Sequence, residues 1–137
     1  MKKLNVILLF NKDESKVLMC LREKEPYKGL FNLVGGKLEE GETELEGAYR
    51  ELEEETGITK DDVLLSNLMN FQYIKKDFEL EVYSGRLNKD VELVEEVNKL
   101  YWIDSSENFF NKEKFAGEGN IGVMYETYLL NKDKNEN

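Results

Sequence analysis

The order of hydrophobic patterns in this chain predicts an α/β or α+β fold, in which a mixed β-sheet is covered on both sides by helices. Three observations carry that expectation. Extended apolar segments lie on either side of mid-chain, a capped amphipathic helix separates them, and a second helical pattern closes the sequence. With 137 residues, the chain suits one domain over residues 1–137, able to bury a core without disulfides or structural zinc.

Residues 5–10 and 16–22 are apolar, β-favouring runs separated by Asn11, Lys12, Asp13, Glu14 and Ser15, so they read as a strand pair around a turn. Their continuous apolar character implies burial on both faces. Residues 23–29 hold the only proline, Pro26, beside Tyr27, Lys28 and Gly29, and read as a loop at a sheet end, where ligand contacts gather. Residues 30–34 form a short strand ahead of Gly35 and Gly36, whose backbone can turn tightly and approach a ligand closely.

Thr43, followed three residues later by Glu46, makes a capping box in which each side chain satisfies a free backbone N–H. A helix therefore starts at Glu44, and Gly57, which accepts positive φ without steric cost, stops it after Thr56. Leu45, Ala48, Tyr49, Leu52 and Thr56 give it one stripe to pack on a sheet. Glu51, Glu54 and Glu55 stand at i, i+3 and i+4, side by side, where like charges repel. One reading is a solvated acidic face. The other is a hard cation such as Mg²⁺ or Mn²⁺, which takes oxygen ligands and keeps positions for water and phosphate.

Residues 63–74 and 78–87 are extended segments that read as a hairpin across Lys75, Lys76 and Asp77, and the alternation from Phe78 to Tyr83 implies one buried face. Residues 92–96 are an acidic loop or short turn before a strand at 100–103, with Trp102 in the core. Residues 105–110 read as a short helical turn, and 111–119 as polar and mobile. A last helix spans 120–130 with Ile121, Met124, Tyr125, Tyr128 and Leu129 on one face, and 132–137 reads as a frayed tail.

The net charge of −10 argues against binding to nucleic-acid polymers or to an anionic membrane. Much of the acid is concentrated between Glu39 and Glu55, where a bound cation would offset it. Histidine is absent, which excludes Ser-His and Cys-His nucleophile systems and His-ligated zinc, so proton transfer falls to Glu, Asp, Lys, Tyr or water on a metal. Cys20, the single cysteine, lies in an apolar run and reads as a buried strand thiol in a reducing compartment. No apolar run approaches membrane-spanning length and no signal-peptide pattern precedes the first strand, so a cytoplasmic location is expected.

From Gly36 to Ile58 the sequence fits G-x5-E-x7-R-E-L-x-E-E-x-G-I, with Gly36, Glu42, Arg50, Glu51, Leu52, Glu54, Glu55, Gly57 and Ile58 in register. In that stretch the chain resembles the Nudix hydrolases. The resemblance implies an α/β/α sandwich around a mixed sheet. It also implies metal-dependent hydrolysis of a nucleoside diphosphate linked to another group, with Mg²⁺ or Mn²⁺ as cofactor and a small nucleotide as partner, in a monomer or homodimer. Glu51, Glu54 and Glu55 would be the metal ligands, one of them able to act as base, joined by the Gly35 carbonyl and by an acid of the later loop, Glu95 or Glu96. Arg50 and Glu42 would form an ion pair that positions the loop against the helix. Lys37 and Arg22 would contact phosphate, with surface cations as the alternative.

The stretch from Gly29 to Lys37 is similar to that of MutT and 8-oxo-purine nucleoside triphosphatases, with Asn32 where an Asn reads the base. The departures are Phe31, where that group often has Trp, and Val34, where many have Pro. Glu118 and Asn120 would face the base from the far side, Asn120 alternatively capping the last helix. The implied reaction releases a nucleoside monophosphate and pyrophosphate from a purine triphosphate, possible oxidation at the 8-position included. ADP-ribose-like sugar nucleotides, dinucleoside polyphosphates, or a non-catalytic Nudix-fold regulator are the alternatives.

Overall fold

The computed structural model describes residues 1–95 and 98–136. Its strands are β1 (Lys2–Phe10), β2 (Lys16–Leu21), β3 (Phe31–Lys37), β4 (Ser66–Tyr73), β5 (Phe78–Arg86) and β6 (Leu100–Asp104), and its helices α1 (Glu44–Thr56) and α2 (Asn120–Glu136). The strands form one mixed sheet in the order β4-β5-β1-β3-β2-β6. The expected β1–β2 pair meets only at Phe10 and Val17, beside a turn in which the Lys16 N–H donates to Asn11 Oδ1 at 2.9 Å. Beyond it the strands part, and β3 enters between them, antiparallel to both. On its other side β1 runs parallel to β5.

Interior placement explains the unbroken apolar runs, because alternate residues supply two cores. Ile7, Leu9, Leu18, Cys20 and Val34 pack with Ala48 and Leu52 of α1. Leu8, Phe10, Val17, Met19 and Leu33 pack with Ile121 and Met124 of α2 and with Phe109 and Phe115. Each wholly buried leucine such as Leu52 contributes about 1.5–3 kcal/mol by leaving water. Trp102 packs half-buried against the α1-side core, as expected. Cys20 is a free, buried thiol that burial pushes up to about 11.

Several expectations need correction. β3 does not end before Gly35 and Gly36 but runs through both, pairing them with Val6 and Asn5 of β1. A Cβ on Gly35 would strike the Asn5 carbonyl, and one on Gly36 the Glu51 carboxyl, so these glycines serve close approach and not a turn. Leu45 is 42% exposed and lies outside the packed stripe. The 63–74 segment is a strand only from Ser66 to Tyr73, followed by a single 3-10 turn. On β5, Val82, Tyr83 and Ser84 are all buried, because an interior strand has both faces covered. Residues 105–110 form turns and no helix. In place of a mobile 111–119, Phe115 and Ala116 are buried, and the Ala116 N–H donates to Phe31 O at 2.8 Å. α2 continues through most of the expected tail.

That extension of α2 is fastened by Glu14, which has left-handed φ in the β1–β2 turn. Its carboxylate accepts from Tyr128 Oη and Lys132 Nζ, both at 2.7 Å, and lies 3.6 Å from Arg86 on β5. Burial pushes the carboxyl up, but Lys132, Tyr128 and Arg86 together outweigh it and hold it below the usual carboxylate range. A depressed carboxyl stabilises above its unfolded pKa, and that contribution is lost as pH falls. Glu14→Gln should therefore destabilise the fold by about 1–3 kcal/mol at neutral pH. Denaturant titrations of both proteins check this: the gap should narrow as pH drops below the ordinary glutamate pKa.

Candidate active site

The capping box forms as the sequence dictates: Thr43 Oγ1 accepts from the Glu46 N–H at 3.2 Å, and Glu46 Oε1 from the Thr43 N–H at 3.1 Å. Gly57 closes α1 with φ 79°, its N–H donating to Glu53 O. Thus the helix begins and ends where it must for its acidic face to meet the end of β3.

Arg50 is the hub of that face. Its Nε and Nη2 fork onto both oxygens of Glu42, at 3.0 and 2.8 Å, while Nη1 donates to Glu51 at 2.9 Å and to Glu54 at 3.1 Å. Nη2 also donates to the Lys37 carbonyl at 2.8 Å, which pins the end of β3 to the helix. The Arg50 guanidinium, helped by the Glu39 N–H, holds the Glu42 carboxyl down at about 2. The surrounding carboxylates push Arg50 itself upward. Glu42 and Arg50 thus make the loop-to-helix ion pair expected of them.

Glu55 has a different environment. Burial first, then the Glu51 charge, pushes its carboxyl up to about 7, with the Gly35 N–H pulling the other way and Glu54 adding to the rise. Among the described residues no three acid, cysteine or histidine side chains converge around a single metal position. Glu51 and Glu54 are turned to Arg50 instead. The donor set nevertheless fits a hard divalent cation: all three groups are carboxylates, Glu55 has no cationic partner among the described residues, and Gly36 leaves room for Glu51 at the strand. A cation there would compete with Arg50 for Glu51 and Glu54. Glu96 lies outside the described residues; the carboxylate of its neighbour Glu95 accepts from the Leu100 N–H at 2.9 Å, a local turn contact.

A cleft of about 650 Å³ opens beside this face. It brings together Arg22, Asn32, Gly35, Lys37, Glu55 and Asn120 from the residues singled out in the sequence. Arg22 Nε donates to Pro26 O at 2.7 Å, so its guanidinium is held to the loop. Asn32 Oδ1 accepts from the Leu33 N–H at 2.9 Å, which leaves the amide NH₂ for other partners. Asn120 is the first residue of α2 and not its cap; its Nδ2 donates to Tyr73 Oη at 2.9 Å. Glu118 does not line the cleft: it is exposed, with φ 56°, and its charge raises the nearby Tyr27 phenol after burial does.

Sequence reasoning passed over Asn5, Tyr27, Tyr73 and Phe78, which also line the cleft. Asn5 is a buried amide whose Oδ1 accepts from the Gly36 N–H at 3.2 Å. The one available signal for it was a polar residue inside an apolar strand run. Tyr73 stacks on Phe78 with centroids 4.4 Å apart, and nothing local distinguishes them from core aromatics. A separate depression of about 500 Å³, lined by Glu14, Arg86 and Lys132 among others, contains none of the helix acids.

A model of the NUDIX domain matches residues 1–121, so the chain belongs to the Nudix family, a family of pyrophosphohydrolases that generally use divalent metal ions. An ADP-ribose pyrophosphatase of Methanocaldococcus jannaschii is 47% identical over 45 residues, which is 33% of this chain and 27% of that relative. The match thus spans about a quarter of the relative. Among solved structures, a Caenorhabditis elegans Ap4A hydrolase in a binary complex superposes with TM-score 0.76 at 15% identity, over 98% of this chain and 99% of the other. A structure from work on MutT of Aliivibrio salmonicida and Vibrio cholerae gives 0.69 at 22% identity, over 94% and 98%. At these identities the likeness is one of fold: the α/β/α arrangement of a mixed sheet between α1 and α2.

A ligand that binds only the folded state stabilises it by mass action. Adding Mg²⁺ or Mn²⁺ should therefore raise the melting temperature of the metal-stripped protein, and a chelator should reverse the rise. In Glu55→Gln the shift should shrink to a small fraction of the wild-type value. Differential scanning fluorimetry across a metal titration reads both, without reference to catalysis.

Proposed function

We propose that this chain hydrolyses a pyrophosphate bond in a nucleoside diphosphate linked to another group, its best substrate being a purine nucleoside triphosphate, with oxidised guanine as the preferred base. The observation that carries this reading is one cleft lined by two chemically distinct sets of residues. Glu55, Gly35, Gly36 and Lys37 suit phosphate and metal. Tyr27, Tyr73 and Phe78, with the amides of Asn120 and Asn32, suit a flat heteroaromatic ring. The volume of the cleft falls in the range of small-molecule sites.

Charge supports the same reading. Apart from the buried Cys20 thiol, the ionisable residues that line the cleft are Arg22, Lys37 and Lys76 against Glu55, with the phenols of Tyr27 and Tyr73, so an anionic substrate meets cations locally. Arg22, tied to Pro26 O, offers its remaining N–H groups to a phosphate, and Lys37 follows the strand glycines Gly35 and Gly36. When bound, a divalent cation, Mg²⁺ or Mn²⁺, would be held by Glu51, Glu54 and Glu55, neutralising phosphate oxygens and acidifying water for attack. Arg50 keeps the helix face and the end of β3 at a fixed separation. Glu55, whose carboxyl is pushed up in the metal-free protein, is the carboxylate that lines the cleft and is the candidate base.

The identity shared with an ADP-ribose pyrophosphatase motivates a second reading, hydrolysis of ADP-ribose-like sugar nucleotides. A nucleotide panel with Mg²⁺, scored for phosphate and pyrophosphate release, separates the two. For a triphosphate, chromatography should show nucleoside monophosphate and pyrophosphate; nucleoside diphosphate and orthophosphate would contradict the proposal.

Glu54→Gln and Glu55→Gln should keep the fold and lose activity by about 100-fold or more, since even residues behind the metal ligands cost about 10- to 100-fold. Losses of only a few fold at saturating Mg²⁺, with unchanged melting temperature, would remove these two from the metal site. Asn32→Ala should lower kcat/KM for the preferred purine by about 5- to 150-fold, the cost of leaving a base edge unpaired, and spare phosphate chemistry. The check is the ratio of kcat/KM among 8-oxo-dGTP, dGTP and a pyrimidine triphosphate; an unchanged ratio would exclude Asn32 as base reader.

A further inference from the structure

We infer that Tyr73 is a positioning residue for base selectivity: its phenol fixes the amide of Asn120, so that the two side chains present one hydrogen-bonding edge to the nucleoside. This rests on the reading of the aromatic side chains that line the cleft as the base site. Tyr73 ends β4 and Asn120 begins α2, and 47 residues of chain separate them. Their 2.9 Å hydrogen bond links two elements that line the cleft from different parts of the sequence.

Both partners are held by other contacts before they meet. The Tyr73 ring lies nearly parallel to Phe78, at 16° and 4.4 Å, which fixes the plane in which its hydroxyl lies. Asn120 follows Gly117, Glu118 and Gly119, which take left-handed φ of 89°, 56° and 95° in succession. A run of that kind is costly for the non-glycine member and persists only where surrounding structure requires it. The surroundings supply the requirement. Ala116 is hydrogen-bonded to Phe31, the Asn120 N–H donates to Gly117 O at 3.1 Å, and a Cβ on Gly122 would overlap the Phe110 ring. The backbone of Asn120 is therefore placed by docking of the loop, and its side-chain rotamer by Tyr73.

An amide on a free rotamer presents donor and acceptor indifferently, and a fixed one does not. With Nδ2 donating to the phenol, Asn120 keeps Oδ1 as an acceptor while the Tyr73 O–H becomes available as a donor. In this orientation the pair offers a defined pattern beside an aromatic surface, which is what discrimination between bases needs. The cost of the bond in selectivity falls on binding and not on bond cleavage, because neither side chain belongs to the acidic face of α1.

The test compares wild type, Tyr73→Phe, Asn120→Ala and the double variant for kcat/KM with ATP, GTP, CTP and UTP and their deoxy forms. Equilibrium binding of the nucleoside monophosphates in chelator supplies a readout without turnover. Tyr73→Phe keeps the ring and its stacking, and should flatten the ratio of best to worst base by roughly three- to tenfold, carried by KM and by monophosphate affinity. Asn120→Ala should flatten it at least as much, and the double variant no more than Asn120→Ala, since the two act as one unit. Base ratios that survive Tyr73→Phe but collapse in Asn120→Ala would overturn the positioning role alone. Independent, multiplicative losses in the double variant would do so too. Ratios unmoved by Asn120→Ala would overturn the base-site reading beneath it, and the positioning role with it.

Discussion

The ion-pair hub at Arg50 is the constraint on which the site depends. One guanidinium serves the carboxylates of Glu42, Glu51 and Glu54 and the carbonyl of Lys37, so a single side chain ties the loop after β3, the acidic face of α1 and the end of β3 together. Without it, the acids concentrated between Glu39 and Glu55 would repel one another and the loop would have no reason to return to the helix. A planar fork is needed for this, because a point charge on a lysine cannot engage both oxygens of Glu42 and still reach two further acids. The strong downward push on Glu42 and the absence, among the described residues, of any comparable cation at Glu55 divide the same acidic face in two. One part is neutralised by the protein. The other is left for something else to neutralise.

Glycine in strand β3 is the second requirement, and it follows from the first. Holding α1 this close to the sheet brings the Glu51 carboxyl over Gly36, where any side chain would collide, and the register of β1 brings the Asn5 carbonyl against Gly35. The buried Asn5 amide then receives the Gly36 N–H, so an apolar strand carries one polar residue where the site passes over it. α2 covers the other face of the same strands, and its first residue reaches the cleft while Lys132, near its far end, is fastened to Glu14.

What was legible in the sequence was what is local. The capping box, the Gly57 stop and the i, i+3, i+4 acids are relations within one helix, so spacing alone describes them, and each stands as read. The insertion of β3 between β1 and β2 is not local. A turn at 11–15 predicts a hairpin whether or not a later strand enters it, and only the two-faced burial of both strands hinted at an interior position. The same limit explains the loop at 111–119, whose polar composition concealed a docked segment anchored by Phe115 and by backbone bonds to Phe31. Tyr73 looked ordinary, and Asn120 was singled out for the base or as a cap without any sign of its partner. Their pairing is a property of the fold, and so is the exposure of Leu45, which helical periodicity assigned to the packed stripe.

A protein of net charge −10 that, in the function proposed, takes an anionic phosphate substrate presents an apparent conflict, and the fold eases it by separating most of the charge from the cleft. The acids of the loop and helix are mostly engaged by Arg50 or exposed on surfaces outside the cleft. Along the cleft, Arg22, Lys37 and Lys76 outnumber Glu55, so the field a substrate meets at close range is opposite in sign to the total. At physiological ionic strength charges beyond about 8 Å are largely screened, which makes the near residues decisive for capture. The distant acids still matter, because they disfavour polyanions too long to fit within the cleft, nucleic-acid strands among them. In the function proposed, selection of a small nucleotide over a polymer would follow from the same distribution of charge that favours binding of phosphate in the cleft.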